Sequence, residues 1–113
     1  MLKISVENGP LTTRFKLEGK LAHEWVSEAE KAWSTLTALN GNKKIIVDLF
    51  DVAFVDELGW QLLKQMHHAG AKLMGSGPLI SGLIEDIEDA EAAEIEEALA
   101  DASEHKSGEE LEQ

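Results

Sequence analysis

The segment 43–70 constrains the fold most, because its apolar residues change from the period of a strand to that of a helix. The β-branched run 45–47 is typical of a buried strand. Residues 48–51 interrupt that run with two aspartates, and a short apolar stretch then leads to Asp56. From Gly59 onward the apolar positions share one helical face. The segment therefore predicts a strand, an acidic turn and a helix, a junction at which open α/β sheets place their functional residues.

An antiparallel hairpin and a helix are predicted before this junction. Apolar and polar residues alternate within 2–19 around a turn at 8–10, a pattern typical of half-buried strands. From His23 the period becomes helical, and the helix is expected to end at residues 40–42, where Asn and Gly tolerate left-handed cap geometry. Its apolar stripe predicts burial of Trp25, Ala29, Ala32, Leu36 and Leu39, with Val26 and Trp33 beside them.

Two further elements complete the predicted fold. Residues 71–74 indicate a fourth strand, and the apolar arc of 79–99 indicates a helix packed on the domain, either continuous or broken near Asp89. This order of elements predicts the α/β class, with a mixed four-stranded sheet and helices packed against it. Residues 1–103 are expected to form a single domain, and 104–113 an acidic, disordered tail.

Charge and composition narrow the functional classes. Residues 1–83 carry 9 Lys/Arg and 9 Asp/Glu, whereas 84–113 carry 1 and 13, so the net charge of −12 lies in the C-terminal part. This distribution argues against binding to nucleic acid or to an anionic membrane, since both require a basic face. The chain has no cysteine, which excludes thiolate chemistry and fits a cytoplasmic protein. No run approaches the ~20 apolar residues that span a bilayer.

The junction and its surroundings resemble the STAS domain, the family of anti-sigma factor antagonists and of cytoplasmic domains of sulfate transporters. The family pattern is a strand ending in Asp-Leu, followed by apolar-Asp-Ser-Ser/Thr-Gly at a helix start. Here Asp48-Leu49 and residues 54–59 occupy these places. Residues 17–21 resemble the Leu-x-Gly-x-Leu turn that ends the second family strand, and 70–74 resemble the fourth strand. The resemblance implies a STAS-like fold and a non-enzymatic regulatory module that binds another protein.

The chain departs from the family pattern at the positions that carry regulation. The resemblance places the phosphoacceptor hydroxyl of regulated members at Leu58 and the preceding hydroxyl at Glu57. Neither side chain accepts a phosphoryl group from a Ser/Thr kinase. Ala22 also stands where phosphorylated members often carry an acidic residue. We therefore expect a module that is not switched by phosphorylation at the usual site, with imitation of the phosphorylated state by Glu57 left open.

The resemblance also implies a partner-binding surface formed by two loops, residues 21–25 after the second strand and residues 56–60 at the start of the second helix. The expected partner is a protein, such as an anti-sigma-type regulator. Asp56 has a structural role of its own, because a carboxylate at a helix N-terminus accepts unpaired backbone N–H groups. Trp60 either covers the sheet edge or serves as an exposed anchor. The residues of this surface are Leu21, His23, Asp56, Glu57, Leu58, Gly59 and Trp60.

Other chemistries find less support in the sequence. Adjacent helical residues such as His67 and His68 point about 100° apart and cannot chelate one metal well, so no metal site is expected. No phosphate-binding loop is visible in the sequence, and no cofactor is expected. Asp48 and Asp51 raise the alternative of a receiver-type phosphoacceptor, but the acidic pair, Thr/Ser and Lys of that class are not evident. Asp48 is better explained as an acceptor for turn backbone groups. A second functional hypothesis is a small-ligand sensor with an apolar pocket between the sheet and the terminal helices.

Overall fold

The computed structural model describes residues 1–94, which form a mixed four-stranded sheet with three helices. A helix that we call α3 begins at residue 78 and continues through residue 94. The sheet order is β1-β2-β3-β4, with β1 antiparallel to β2 and the remaining neighbours parallel. The predicted α/β class and element order are thus confirmed. The other elements are β1 (Leu2–Asn8), β2 (Thr12–Leu21), α1 (Glu24–Asn40), β3 (Lys44–Val55), α2 (Glu57–His68) and β4 (Lys72–Met74).

The helices pack on one face of the sheet. Both crossovers between parallel strands step in the same direction across the sheet, and right-handed crossovers then place α1 and α2 on the same side. Strand side chains alternate accordingly, with apolar residues in the core and charged residues on the opposite face. The core combines residues of the strands and of all three helices, among them Phe15, Leu17, Trp33, Val47, Leu49, Leu63, Met66, Leu73, Ile80 and Ile87.

β3 contains a bulge where the sequence predicted an acidic turn. The strand is continuous over 12 residues, so the predicted interruption at 48–51 is wrong. Instead, the register against β2 shifts within this segment. Asp48 is 4% exposed, accepts the Phe50 N–H at 3.0 Å, and accepts a hydrogen bond from the Arg14 guanidinium at 3.1 Å. The aspartate does satisfy local backbone, as predicted, but it stabilises a bulge within the strand.

α1 buries a stripe that is rotated from the predicted one. Trp33 is buried and packs edge-to-face on Phe15, with ring centroids 5.9 Å apart. Leu39, by contrast, is 81% exposed and Trp25 is only partly buried, so the prediction that both are core residues is wrong. The helix meets β2 along the face through Trp33, which turns Leu39 outward. The buried residues of α1 are Val26, Ala29, Trp33 and Leu36.

α3 is continuous through Asp89, so the alternative of a helix broken near this residue is wrong. Its buried residues Ile80 and Ile87 lie in the hydrophobic core, and Leu83 and Ile84 pack against that core. The predicted helical segment 95–99, the domain boundary at 103 and the acidic tail 104–113 lie outside the described residues and stay predictions.

Candidate functional site

Asp56 lies between β3 and α2 and joins the two loops of the predicted surface. One carboxylate oxygen accepts the Gly59 N–H at 2.8 Å, which confirms the predicted N-cap of α2. The other accepts the N–H of His23, in the turn after β2, at 2.9 Å. The Asp56 N–H in turn donates to the Leu21 carbonyl at 3.2 Å. Two loops that are distant in sequence are thereby held as one unit.

The same hydrogen bonds stabilise the charged form of Asp56. The backbone N–H groups of His23 and then of Gly59 lower the pKa of Asp56 below its ordinary value of 3.8. A carboxyl with a lowered folded-state pKa stabilises the fold above its unfolded pKa. This contribution is lost as the pH falls through the lower folded-state value. The link between the loops is therefore intact at neutral pH and weakens only in strong acid.

Gly59 allows α2 to approach the end of β2. A Cβ atom at this position would lie 2.3 Å from the Leu21 carbonyl oxygen and 2.9 Å from a methyl carbon of Val55. These contacts are too short for any side chain, so the close approach requires glycine. The predicted core face of α2 is confirmed, because its buried residues are Gly59, Leu62, Leu63 and Met66.

His23 has a backbone conformation that side-chain-bearing residues rarely adopt. Its φ of 54° and ψ of −129° make it the one non-glycine residue with positive φ within residues 1–94. The surrounding structure holds this conformation, since Asp56 accepts the His23 N–H. The imidazole is exposed, and its Nδ1 lies 3.9 Å from the Asp56 carboxylate. The strained backbone of His23 thus lies in one of the two loops that the resemblance assigns to partner binding.

The predicted surface residues divide into an exposed and a buried group. Leu58 is 59% exposed, and Glu57 is exposed beside it. Leu21 is fully buried, which corrects the expectation that its side chain faces a partner; its carbonyl positions Asp56 instead. Gly59 is likewise buried, so it lies beneath this surface and is not part of it. Trp60 lies on the flank of α2 and is partly buried against the core. The Lys64 ammonium lies 5.7 Å from its ring centroid.

Two aromatic residues adjoin this surface: Trp25, in the 21–25 turn that the resemblance already assigned to it, and Phe54, which the sequence did not assign to it. Phe54 is 46% exposed, and with Trp25 and His23 it lines a concavity of about 370 Å³. A second shift in the β2–β3 register, between Gly19 and Lys20, lies opposite this part of β3 and turns Phe54 outward. The sequence of residues 52–55, which is apolar throughout, does not indicate this register shift. Across His23, a groove of about 330 Å³ between α1 and α2 is lined by Leu58.

Basic side chains of α2 face acidic side chains of α3. His67 Nδ1 contacts the Glu91 carboxylate, His68 Nδ1 lies 3.4 Å from it, and Lys64 contacts Glu94. The hydrogen bond from His67 is the largest cause that lowers the pKa of Glu91. These residues therefore attach α3 to α2. Within residues 1–94 no cluster of His, Cys, Asp and Glu has the arrangement of a metal site.

The space between the sheet and α3 is filled by side chains in the part of the chain that the structure describes. Ile80 and Ile87 are buried there, leaving a shallow depression of about 320 Å³ beside Phe50. A larger concavity, about 800 Å³, lies between α1 and the edge strand β1. None of the helices in the described range is long and apolar enough to cross a bilayer.

We expect Asp56→Ala to lower the melting temperature by roughly 4–8 °C, because N–H groups in two loops lose their acceptor. Circular dichroism melts at neutral pH measure this effect. The difference from the unchanged protein should shrink well below pH 3.8, where the carboxyl becomes protonated. Asp51→Ala is the control, since that carboxylate is exposed and its ion-pair partner within residues 1–94 is Lys16, at 3.4 Å. Equal melting temperatures for Asp56→Ala and the unchanged protein would contradict the role of Asp56.

Comparison with known proteins gives structural neighbours but no family assignment. No protein-family model and no curated protein matches this chain. The crystal structure of Mglu is 22% identical over 66% of this chain, with a TM-score of 0.46, and this chain spans 19% of its length. An uncharacterized protein of the DUF3478 family with a SpoIIAA-like fold, from Shewanella loihica PV-4, is 23% identical with a TM-score of 0.43. That match covers 69% of this chain and 70% of the other.

Proposed function

We propose that this chain is a non-enzymatic regulatory module of the STAS type that binds another protein, as anti-sigma factor antagonists do. The family resemblance of residues 48–59 supports this proposal, and the element order agrees with it. The observation that carries it is the double hydrogen bonding of Asp56, which joins the two loops that the resemblance assigns to partner binding.

The proposed contact surface, here called the Asp56 surface, consists of His23, Trp25, Phe54, Glu57 and Leu58. Apolar side chains that remain exposed next to concave grooves are typical of protein-interaction sites. Phe54 and Leu58 supply such apolar area on either side of His23. Because Asp56 already orders both loops, a partner need not pay their ordering entropy on binding. This apolar surface, with the exposed Glu57 carboxylate beside Leu58, suits a protein partner that offers an apolar contact and a basic side chain next to it.

We further propose that phosphorylation at the usual site does not control this surface. Leu58 occupies the first turn of α2 and lacks a hydroxyl. Glu57 precedes it and complements the helix dipole. A carboxylate carries less charge and fewer acceptor oxygens than a phosphate, so Glu57 is a weak substitute for one. Binding would then depend on the abundance of the partner. Small-ligand sensing has no specific observation in its favour within the described residues.

Leu58→Asp is expected to weaken partner binding at least tenfold while leaving the fold intact. The added carboxylate lies in the first turn of α2, where the helix dipole tolerates it, but it would be desolvated and unpaired in a tight contact. Binding is measured by titration against a partner isolated from a lysate of the source organism. Circular dichroism checks the fold.

Leu79→Asp provides a matched control for this experiment. Leu79 is 53% exposed against 59% for Leu58, and it also lies in the first turn of a helix, α3. The two substitutions therefore make the same chemical change in similar local settings, on different surfaces. Unchanged affinity for Leu58→Asp, or equal losses for both variants, would remove the Asp56 surface from the interface.

A further inference from the structure

Among residues 1–94, β1 is an edge strand whose outer side has no pairing partner. It pairs with β2 on one side, and none of residues 1–94 pairs with the other. The Lys20 N–H donates to the Met1 carbonyl at 3.0 Å, and the Gly9 N–H donates to the Thr12 carbonyl at 2.9 Å. Because hydrogen-bonded pairs alternate along an antiparallel ladder, odd-numbered residues of β1 bond to β2. The backbone groups that point outward therefore belong to Leu2, Ile4, Val6 and Asn8.

The sequence of β1 is self-complementary in one antiparallel register. A two-fold axis through Ser5 pairs Ile4 with Val6 of a second copy, and Lys3 with Glu7 of that copy. Even-numbered residues then face even-numbered ones, which is what their outward backbone groups require. Shifting the axis to Ile4 or Val6 keeps this parity but places Ser5 opposite Lys3 or Glu7. Only the register centred on Ser5 therefore pairs opposite charges on both sides of the axis.

The groove beside β1 supplies apolar area for the same contact. Its volume is about 800 Å³, and its apolar lining includes Ile4, Val6, Leu36 and Leu39. Val6 and Leu39 are exposed, and both lie on the helix side of the sheet edge. A second copy paired through β1 brings the same residues to this groove from across the axis.

The odd-numbered residues of β1 lie on the face of the sheet away from the helices, and two of them are charged. Lys3 lies 3.8 Å from Glu18, and the Arg14 side chain lies 4.0 Å from Glu7, so both β1 charges already belong to cross-strand ion pairs. Pairing with a second copy would add an opposite charge to each. The same register therefore gives the apolar face of β1 an apolar contact and the charged face pairs of opposite charge.

We propose that β1 pairs antiparallel with β1 of a second copy about a two-fold axis at Ser5, which joins the two sheets into one. Neither Asp56 nor Leu58 lies in β1, so this inference is independent of the proposed partner binding. The first expectation is that the 12.4 kDa chain sediments at twice its monomer mass in the micromolar range. A chain that stays monomeric throughout a concentration series overturns the proposal.

A charge-swap experiment tests the register. Lys3→Glu alone sets acidic side chains against each other across the axis, and Glu7→Lys alone sets basic side chains against each other. Each variant alone should dimerise about tenfold more weakly, since like charges that face each other are destabilising. An equimolar mixture restores both opposite-charge pairs and should dimerise like the unchanged chain. Effects within one copy, on Glu18 or Arg14, persist in the mixture, so a mixture no better than either variant overturns the register.

A cysteine experiment gives a second readout, because the chain has no cysteine of its own. Ser5 faces its own copy in a non-hydrogen-bonded pair, where Cα atoms lie about 4.5 Å apart, within disulfide range. Ser5→Cys should form a covalent dimer under mild oxidation. Glu7→Cys should not, because the two copies of that position lie roughly 13 Å apart along the strands. Equal cross-linking of the two variants, or none, overturns the proposed axis.

Discussion

Truncation after Gly82 is expected to unfold the protein or to make it aggregate. The shortened chain loses Ile87, which is fully buried, together with Leu83 and Ile84, which pack on the core. Burial of each such side chain contributes roughly 1.5–3 kcal/mol, and a small domain has a total stability of only about 5–15 kcal/mol. The ion pairs of Glu91 and Glu94 with α2 are lost as well. Circular dichroism and sedimentation of the shortened chain measure the outcome.

Two controls separate loss of the core from loss of chain length. Truncation after Ser103 removes a polar segment without an apolar arc and should leave the melting temperature nearly unchanged. In the full chain, Ile87→Ala should lower the free energy of unfolding by about 2–5 kcal/mol. Leu79→Ala, at an exposed position of the same helix, should have little effect. If the chain that ends at Gly82 stays folded and does not aggregate, α3 is a detachable arm and its acidic face becomes the better candidate for partner docking.

Gly59→Ala is expected to destabilise the protein by about 1–3 kcal/mol, a typical range for overpacking of a core. The added methyl group would meet the Leu21 carbonyl oxygen at 2.3 Å, and this oxygen belongs to backbone that cannot rotate away. α2 must therefore shift, which also disturbs the bonds of Asp56. Chemical denaturation measures the free energy of unfolding, and amide NMR shifts at His23 report the disturbance of the loop.

Gly82→Ala is the matched control for this substitution. Gly82 also lies in a helix, but a Cβ atom there would meet no other residue of the described range 1–94 within 4 Å. Alanine should therefore stabilise α3 by roughly 0.5–1 kcal/mol, because it restricts the unfolded chain and favours helix. A Gly59→Ala variant as stable as the unchanged protein would show that α2 can adjust without cost to the junction.

Local patterns in the sequence determined the order of the elements and much of their orientation. The period change near Gly59 predicted α2 and its core face, because helical periodicity depends on residues within two turns. The N-cap role of Asp56 also followed from local chemistry, since its acceptor serves an N–H three residues away. The α/β class followed from the succession of strands and helices alone.

Tertiary structure decided the features that depend on contacts between distant segments. The bond from His23 to Asp56, the burial of Leu21 and the outward turn of Phe54 all arise where β2 meets β3. The bulge at Asp48 has the same origin, since a turn and a bulge call for the same residue types and only pairing with β2 distinguishes them. The sequence specified which residues could cap, bend or cover an element. The parallel register of β2 and β3, fixed by packing between segments far apart in the chain, determined which of them face the candidate site.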